Sequence, residues 1–286
     1  MNEAATRARA VTWNAFNGGL DPDGSESSRE RQIEILTRLR PDLLALQECT
    51  GWEDEDRRRL LDLANALGMV PVAMERSHVG DGRNHTALLY RPGAFRLLGY
   101  RRVGEQVLHH ALLRARLRPA GATDDRGDLF VFATHLAHTD GDTRLREARW
   151  LTDYGDDFPG TPGRALLLGD LNCSGTFDQD PGDWARIPRN LHARYRLVTD
   201  DGSFGGMDRR AIQVLLNSGW TDPQTTTKEP RDATVGYWWD NEQVPLRLDH
   251  ILVRGLTPTS YRTHDTPEAR SASDHLPVVL DFEVRA

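Results

Sequence analysis

The chain has 286 residues, enough to bury a sizeable core in one domain without disulfide or metal staples. Its 36 Lys plus Arg against 43 Asp plus Glu leave a formal net charge of -7, which excludes a histone-like or coat-like binder that holds nucleic acid or an anionic membrane by overall charge. An enzyme that meets phosphates locally, through metal ions, stays open.

The N-terminal stretch "MNEAATRARAVTWN" has no apolar h-region before its first strand, and no window of the chain reaches the length of a membrane span. A cytoplasmic protein without membrane insertion is expected. "AVTWN" reads as a strand, followed by a loop, "NGGLDPDGSESS", closed by a capping box in which Ser27 stands three residues before Glu30. The helix "RERQIEILTRLR" ends at Pro41, "DLLALQE" is a buried strand, and the charged helix "RRRLLDLANALG" stops at Gly68. Cys49 and Cys173 are far apart and in no zinc-ligand spacing, which fits a reducing compartment and two small buried residues. Further strands are predicted at "HTALLYR", "FRLLGY", "HALLRARL", "LFVFATH", "RALLLGD", "LDHILVR" and "LPVVLDF", with helices near "DTRLREARWLTDY" and "RAIQVLLNSG". Hairpin turns such as "GATDDRGD" argue for a mixed α/β chain rather than a purely parallel sheet. No composition shift divides the chain, so residues 1–286 are read as a single domain. The least regular segment runs from Asp178 to Asp208, with Arg186, Arg189, Arg194, Arg196, Arg209 and Arg210 in or beside it. It reads either as a solvated surface excursion or as a basic lip that handles phosphates.

One placement recurs at the strand mouths. "VTWN" delivers Asn14, "LALQE" Glu48, "VFATH" His135, "LLLGDLN" Asp170 and Asn172, "RLD" Asp249, and "SDH" Asp274 and His275. Such residues could converge on one pocket at a sheet edge. Carboxylates with amide oxygens and no thiolate cluster are hard ligands that suit Mg²⁺ or Mn²⁺, with Glu48 and Asp274 the best of them. Asp249 beside His275 would fix the imidazole tautomer and favour its charged form, as proton transfer at a phosphoryl group needs. His135, Asn172 and Asn14 carry donors for non-bridging oxygens.

Taken together, "TWN", "LALQE", "THL", "GDLN", "RLDHILV" and "SDHLPV" resemble, in order, the motifs of the endonuclease/exonuclease/phosphatase superfamily of metal-dependent phosphoesterases. The resemblance implies a four-layer α-β-β-α sandwich with two mixed β-sheets and the site at the sheet edges. It implies Glu48 as principal metal ligand, assisted by Asn14 and Asp274, and Asp170 with Asn172 orienting water and phosphate. It also implies His135 as a phosphate-oxygen donor and His275 with Asp249 as a catalytic dyad; the division of proton transfer between the dyad and Asp170 stays open. "THL" is similar to the branches holding sphingomyelinases, inositol-polyphosphate phosphatases, deadenylases and tyrosyl-DNA phosphodiesterases. "GYWWDNEQVPLRLDHIL", with Trp238 and Trp239, is similar to the approach in exonuclease III.

A nucleic acid or nucleotide phosphodiester is the leading substrate, because Trp238 and Trp239 could stack on bases while Arg186 and Arg189 contact phosphates; core packing is the other reading of the tryptophans. Sugar, inositol and lipid phosphates are the alternatives, and no obligate protein partner is expected. A binuclear His-rich metallophosphoesterase would need "GNH", which is absent. A catalytically inactive binding module on the same scaffold would be expected to lack a metal ligand or the histidine.

Overall fold

The computed structural model describes residues 6–284; residues 1–5, the head of the N-terminal stretch considered above, lie outside them, as do 285 and 286. In chain order the elements are β1 (Thr6–Asn14), α1 (Ser27–Leu39), β2 (Leu43–Gln47), α2 (Asp54–Leu67), β3 (Val70–Arg76), β4 (His85–Tyr90), β5 (Phe95–Val103), β6 (Leu112–Pro119), β7 (Leu129–His135), α3 (Gly141–Ala148) and β8 (Ala165–Asp170). There follow α4 (His192–Tyr195), β9 (Arg196–Val198), β10 (Phe204–Met207), α5 (Arg210–Asn217), α6 (Gln224–Thr227), β11 (Asp249–Arg254), β12 (Thr257–Thr263), α7 (Pro267–Arg270) and β13 (Val278–Val284).

A six-stranded sheet has the order β12-β13-β1-β2-β4-β3 and a five-stranded sheet the order β11-β8-β7-β6-β5. Each contains one parallel pair, β1 with β2 and β7 with β8, among antiparallel neighbours. Strand alternation builds the layers. Leu43 and Ala45 of β2 enter the core between the sheets with Leu113, Ala115, Val131, Leu166 and Leu168, while Leu44 and Leu46 face the helices. Both faces of β2 are therefore covered, which is why "LLALQ" shows no polar alternation. On α2, Leu60, Leu63, Ala64 and Leu67 form the buried stripe at helical spacing. On the far side, Phe132, Leu167 and Leu252 pack against Ala148 of α3 and Ala211, Ile212 and Leu215 of α5. The result is the expected four-layer sandwich.

Several local expectations need correction. The N-cap of α1 is Glu26, without a side-chain cap; the Asp21 carboxylate accepts the N–H and hydroxyl of Ser28 instead, so the Ser27/Glu30 box is not used. "VPVAMER" and "TPTSYRT", unassigned from the sequence, are the edge strands β3 and β12. Their half-exposed pattern and internal prolines hide the strand period. The helix read across "DTRLREARWLTDY" is α3 continued by a 3₁₀ segment from Arg149. Both cysteines are buried and free. Among the described residues no helix is long and apolar enough to cross a membrane.

Gly169 shows why glycine precedes Asp170. It stands opposite Thr134 in the parallel β7–β8 pair, and a Cβ there would lie 2.1 Å from the Thr134 carbonyl oxygen. Gly169→Ala must therefore shift one of the strands that carry His135 and Asp170. We expect a loss of roughly 1–3 kcal/mol or more of stability, measured as a lower urea midpoint, together with lost activity.

Candidate active site

The parallel pairs bring the C-terminal ends of β1, β2, β7 and β8 to one edge of the sandwich, and with them Asn14, Glu48, His135 and Asp170. β11 and β13 run antiparallel to β8 and β1, with Asp249 opposite Asp170 and Val278 opposite Thr12. They reach the same edge at their starts. Asp249, Asp274 and His275 thus open their strands, whereas the other polar residues close theirs.

Local backbone turns aim the side chains. Glu48 (φ 53°) and Asn172 (φ 48°) are both left-handed, an uncommon state for residues with a Cβ that swings each out of its strand line. Asn14 clamps the two sheets: its Nδ2 donates to Glu48 Oε1 and Asp170 Oδ2, both at 3.1 Å. The Phe16 N–H donates to Asn14 Oδ1 at 3.0 Å, which fixes the amide orientation. Asn14 therefore presents a donor to the carboxylates and holds the two sheets' site residues together.

His275 Nδ1 lies 2.8 Å from Asp249 Oδ2, and its Nε2 lies 3.8 Å from Asp170 Oδ2. A bend after α7 makes this possible: Ser273 Oγ donates to the Asn14 carbonyl and accepts the His275 N–H, while Tyr237 Oη donates to the Ser273 carbonyl. Burial opposes charge on His275, but Asp249 and Asp170 outweigh it and hold the imidazole pKa well above its ordinary value. His135, 3.5 Å from Asp170, is pushed down to about 3 by burial and the His275 charge. One histidine is thus favoured charged and the other neutral. Asp170 also accepts the Asn172 N–H at 2.8 Å, and Asn172 Nδ2 donates to the Leu136 carbonyl; burial raises the Asp170 pKa.

Glu48, Asp170 and Asp274 line a common cavity of about 330 Å³ together with His135, Asn172 and His275. Asp274 Oδ1 is buried without a partner, and its carboxyl is raised to about 6 by burial and the neighbouring Glu48 charge. An orphaned hard oxygen beside a second carboxylate fits a divalent cation. Donor atoms of Asp170, Asp249 and His275 also lie within 4.8 Å of one another. That trio is already joined through the His275 proton and suits proton handling rather than an ion.

Trp238 and Trp239 line the cavity, and Phe16 packs edge-on against both, with centroids 5.6 and 5.8 Å away. Trp239 Nε1 donates to Asp274 Oδ2 at 3.2 Å. The two expected arginines lie away from this cavity. In the Asp178–Asp208 segment, Trp184, Ile187 and Met207 form a small core with Val244, Leu246 and Leu248. Inward Trp184 and Ile187 leave Arg186 and Arg189 outside: both are exposed, Arg186 lines a different hollow with Arg231 and Arg247, and Arg189 lines neither. From this segment the cavity receives Arg194 instead. His110 and His138 also line it and were not singled out from sequence. Their signal was available: His110 precedes β6, which is antiparallel to β7, so it stands at the same edge as His135.

The family model described as Endonuclease/Exonuclease/phosphatase family matches residues 11–275. A similar solved structure is an endonuclease/exonuclease/phosphatase from Bacteroides vulgatus, at TM-score 0.71 and 14% identity over 98% of this chain and 100% of that one. ANGEL2, a 2′,3′-cyclic phosphatase in complex with adenosine-2′,3′-vanadate, gives TM-score 0.65 at 14% identity, covering 99% and 97%. The Bacteroides thetaiotaomicron mannosyl-6-phosphatase gives 0.62 at 16%, covering 96% and 99%. Among curated proteins, no match to this chain was found.

Behind the cavity, α3 ties its loops together. Glu147, wholly buried, accepts the N–H groups of His109 and Ala137, each at 2.7 Å. Arg144, 1% exposed, donates to the carbonyls of Ala137 and Arg194. Glu147→Ala would leave two buried N–H groups without acceptors. We expect an unfolding free energy lower by about 1–3 kcal/mol in chemical denaturation, and a smaller loss for Glu147→Gln, which keeps one oxygen.

Proposed function

The chain belongs to the endonuclease/exonuclease/phosphatase family, and from that membership and the cavity above we propose that it is a divalent-metal-dependent phosphoesterase acting on a nucleotide-sized substrate. The observation that carries the metal dependence is charge. Glu48, Asp170 and Asp274 crowd a cavity that also holds the His275 imidazolium and the Arg194 guanidinium, and the three carboxylates with the orphaned Asp274 oxygen repel a phosphate unless a further cation offsets them. Glu48 and Asp274 would hold Mg²⁺ or Mn²⁺, which when bound neutralises phosphate charge and acidifies water.

The chain's own groups then divide the work. His135 and Asn172 donate to non-bridging oxygens, and Asp170, held by Asn14 and the Asn172 N–H, orients the attacking water and accepts its proton. As the new P–O bond forms and the ester P–O bond breaks, His275 gives its proton to the leaving oxygen, with Asp249 stabilising its charge and fixing its tautomer. His135, kept neutral, donates a hydrogen bond without competing for that proton.

Substrate size follows from the walls. Trp238 and Trp239, backed by Phe16, offer faces and edges to a base or sugar ring. The arginines that a bound strand would need, Arg186 and Arg189, lie off the cavity, so a nucleotide suits it better than a polymer. A cavity of about 330 Å³ holds a phosphate with part of a nucleoside.

A phosphoester panel assayed with Mg²⁺, Mn²⁺ or excess EDTA tests the reading. Glu48→Gln should remove most turnover while the circular dichroism spectrum is kept, and full turnover by metal-free protein would refute metal dependence. His275→Ala should lower kcat by about 10²–10⁴-fold. Trp238→Ala should raise KM for nucleotides more than for inorganic-like esters such as methyl phosphate; equal effects would remove the ring-stacking assignment.

A further inference from the structure

One part of the cavity wall has no task in this scheme. His110, His138 and Arg194 come from the segment before β6, the segment after β7, and α4. His110 is 4% exposed and stacks on His135 with centroids 4.1 Å apart. Its Nδ1 lies 2.6 Å from the buried Ser77 Oγ, and its Nε2 has no partner among the described residues. Ser77 occupies Nδ1, and the buried Nε2 is left without a partner. A buried polar atom without a partner calls for one.

Arg194 is distinguished from the arginines around it. Arg196 bonds the carbonyls of Phe204 and Gly205, Arg209 those of Gly175 and Asp178, and Arg210 pairs with Asp208 and Asp142. The Arg194 guanidinium lines the cavity and makes no ion pair with a carboxylate of the described residues. The wall is also braced: Glu147 and Arg144 fix the backbone beside His110, His138 and Arg194 from behind. These buried charged groups spend their hydrogen bonds on the backbone beside the three cavity-lining side chains.

The scheme above gives the cleaved phosphoryl group His135 and Asn172 for its non-bridging oxygens and His275 for its leaving oxygen, so three more cavity-lining donors, one of them a guanidinium, go beyond what that scheme uses. Resting on the phosphoesterase reading, we infer that His110, His138 and Arg194 form a second anion subsite, and that the preferred substrate carries another phosphate besides the one cleaved. Planar guanidinium and imidazole donors suit that group.

The test compares kcat and KM for adenosine 3′,5′-bisphosphate against adenosine 5′-monophosphate, and for glucose 1,6-bisphosphate against glucose 6-phosphate, with Mg²⁺. Wild type should favour the bisphosphate of at least one pair by about tenfold or more in kcat/KM, expressed mainly in KM, as a charge-assisted contact allows; the pair that responds identifies the carrier of the second phosphate. Arg194→Ala and His138→Ala should each cut that ratio severalfold, and Arg194→Lys should recover part of it. Arg194 is a suitable probe because α3 uses only its carbonyl, so the fold should survive. Absence of any bisphosphate preference, or equal losses on both members of a pair, would overturn the subsite. If no ester is turned over, the phosphoesterase reading fails separately. Calorimetric binding of the same compounds then decides: tighter bisphosphate binding that Arg194→Ala abolishes supports the subsite, and equal binding overturns it.

Discussion

Everything at the site depends on two parallel strand pairings, one in each sheet. β1 beside β2 and β7 beside β8 force Asn14, Glu48, His135 and Asp170 to emerge on one edge, while the antiparallel neighbours return Asp249 and His275 to it. The Asn14 amide then spans the gap between the sheets by bonding Glu48 and Asp170 together. The inter-sheet core, built from alternate residues of both sheets, holds that edge rigid. A close-packed interior has few alternative arrangements, so catalytic distances are set by apolar packing some way from the chemistry.

Much of this was legible because both signals are local. Buried strands such as "LALQE" and "LLLGDLN" declare themselves by apolar runs ending in a polar residue, and the glycine at 169 reports a close backbone approach. What was hidden depended on partners. β3 and β12 are edge strands with one face outward, and their composition alone resembles loop. The Ser27 capping box had the right spacing, but Asp21, seven residues ahead of Ser28, reached the helix start first. That Arg186 and Arg189 stand off the cavity could not be read from the sequence, because which side of a 3₁₀ turn faces inward is decided by what Trp184 and Ile187 can bury against. His110 and His138 were overlooked for the opposite reason: their neighbourhood exists only once β6 is paired with β7.

The electrostatics follow one logic throughout. Low-dielectric surroundings make every unpaired charge expensive, and the molecule resolves this by giving each buried carboxylate specific donors. Asp170 has Asn14 and the Asn172 N–H, Glu147 has two backbone N–H groups, and Asp222 has Arg231 and Arg247. Asp274 and Asp249 depart from this pattern: one oxygen of Asp274 is bonded to an indole and one of Asp249 to His275, and the other oxygen of each is left alone. Unmet oxygens that gather at one site mark where a bound species would complete the set.

That indole contact couples two variables that are usually treated as independent. Trp239 is 47% exposed at the rim, yet its N–H holds the carboxylate that faces inward. If an ion sits at Asp274 and the organic part of a substrate at the ring, as proposed above, each would bias the other through this bond, and linkage would make the two effects equal in magnitude. Selectivity for the one and affinity for the other would then be coupled at this position.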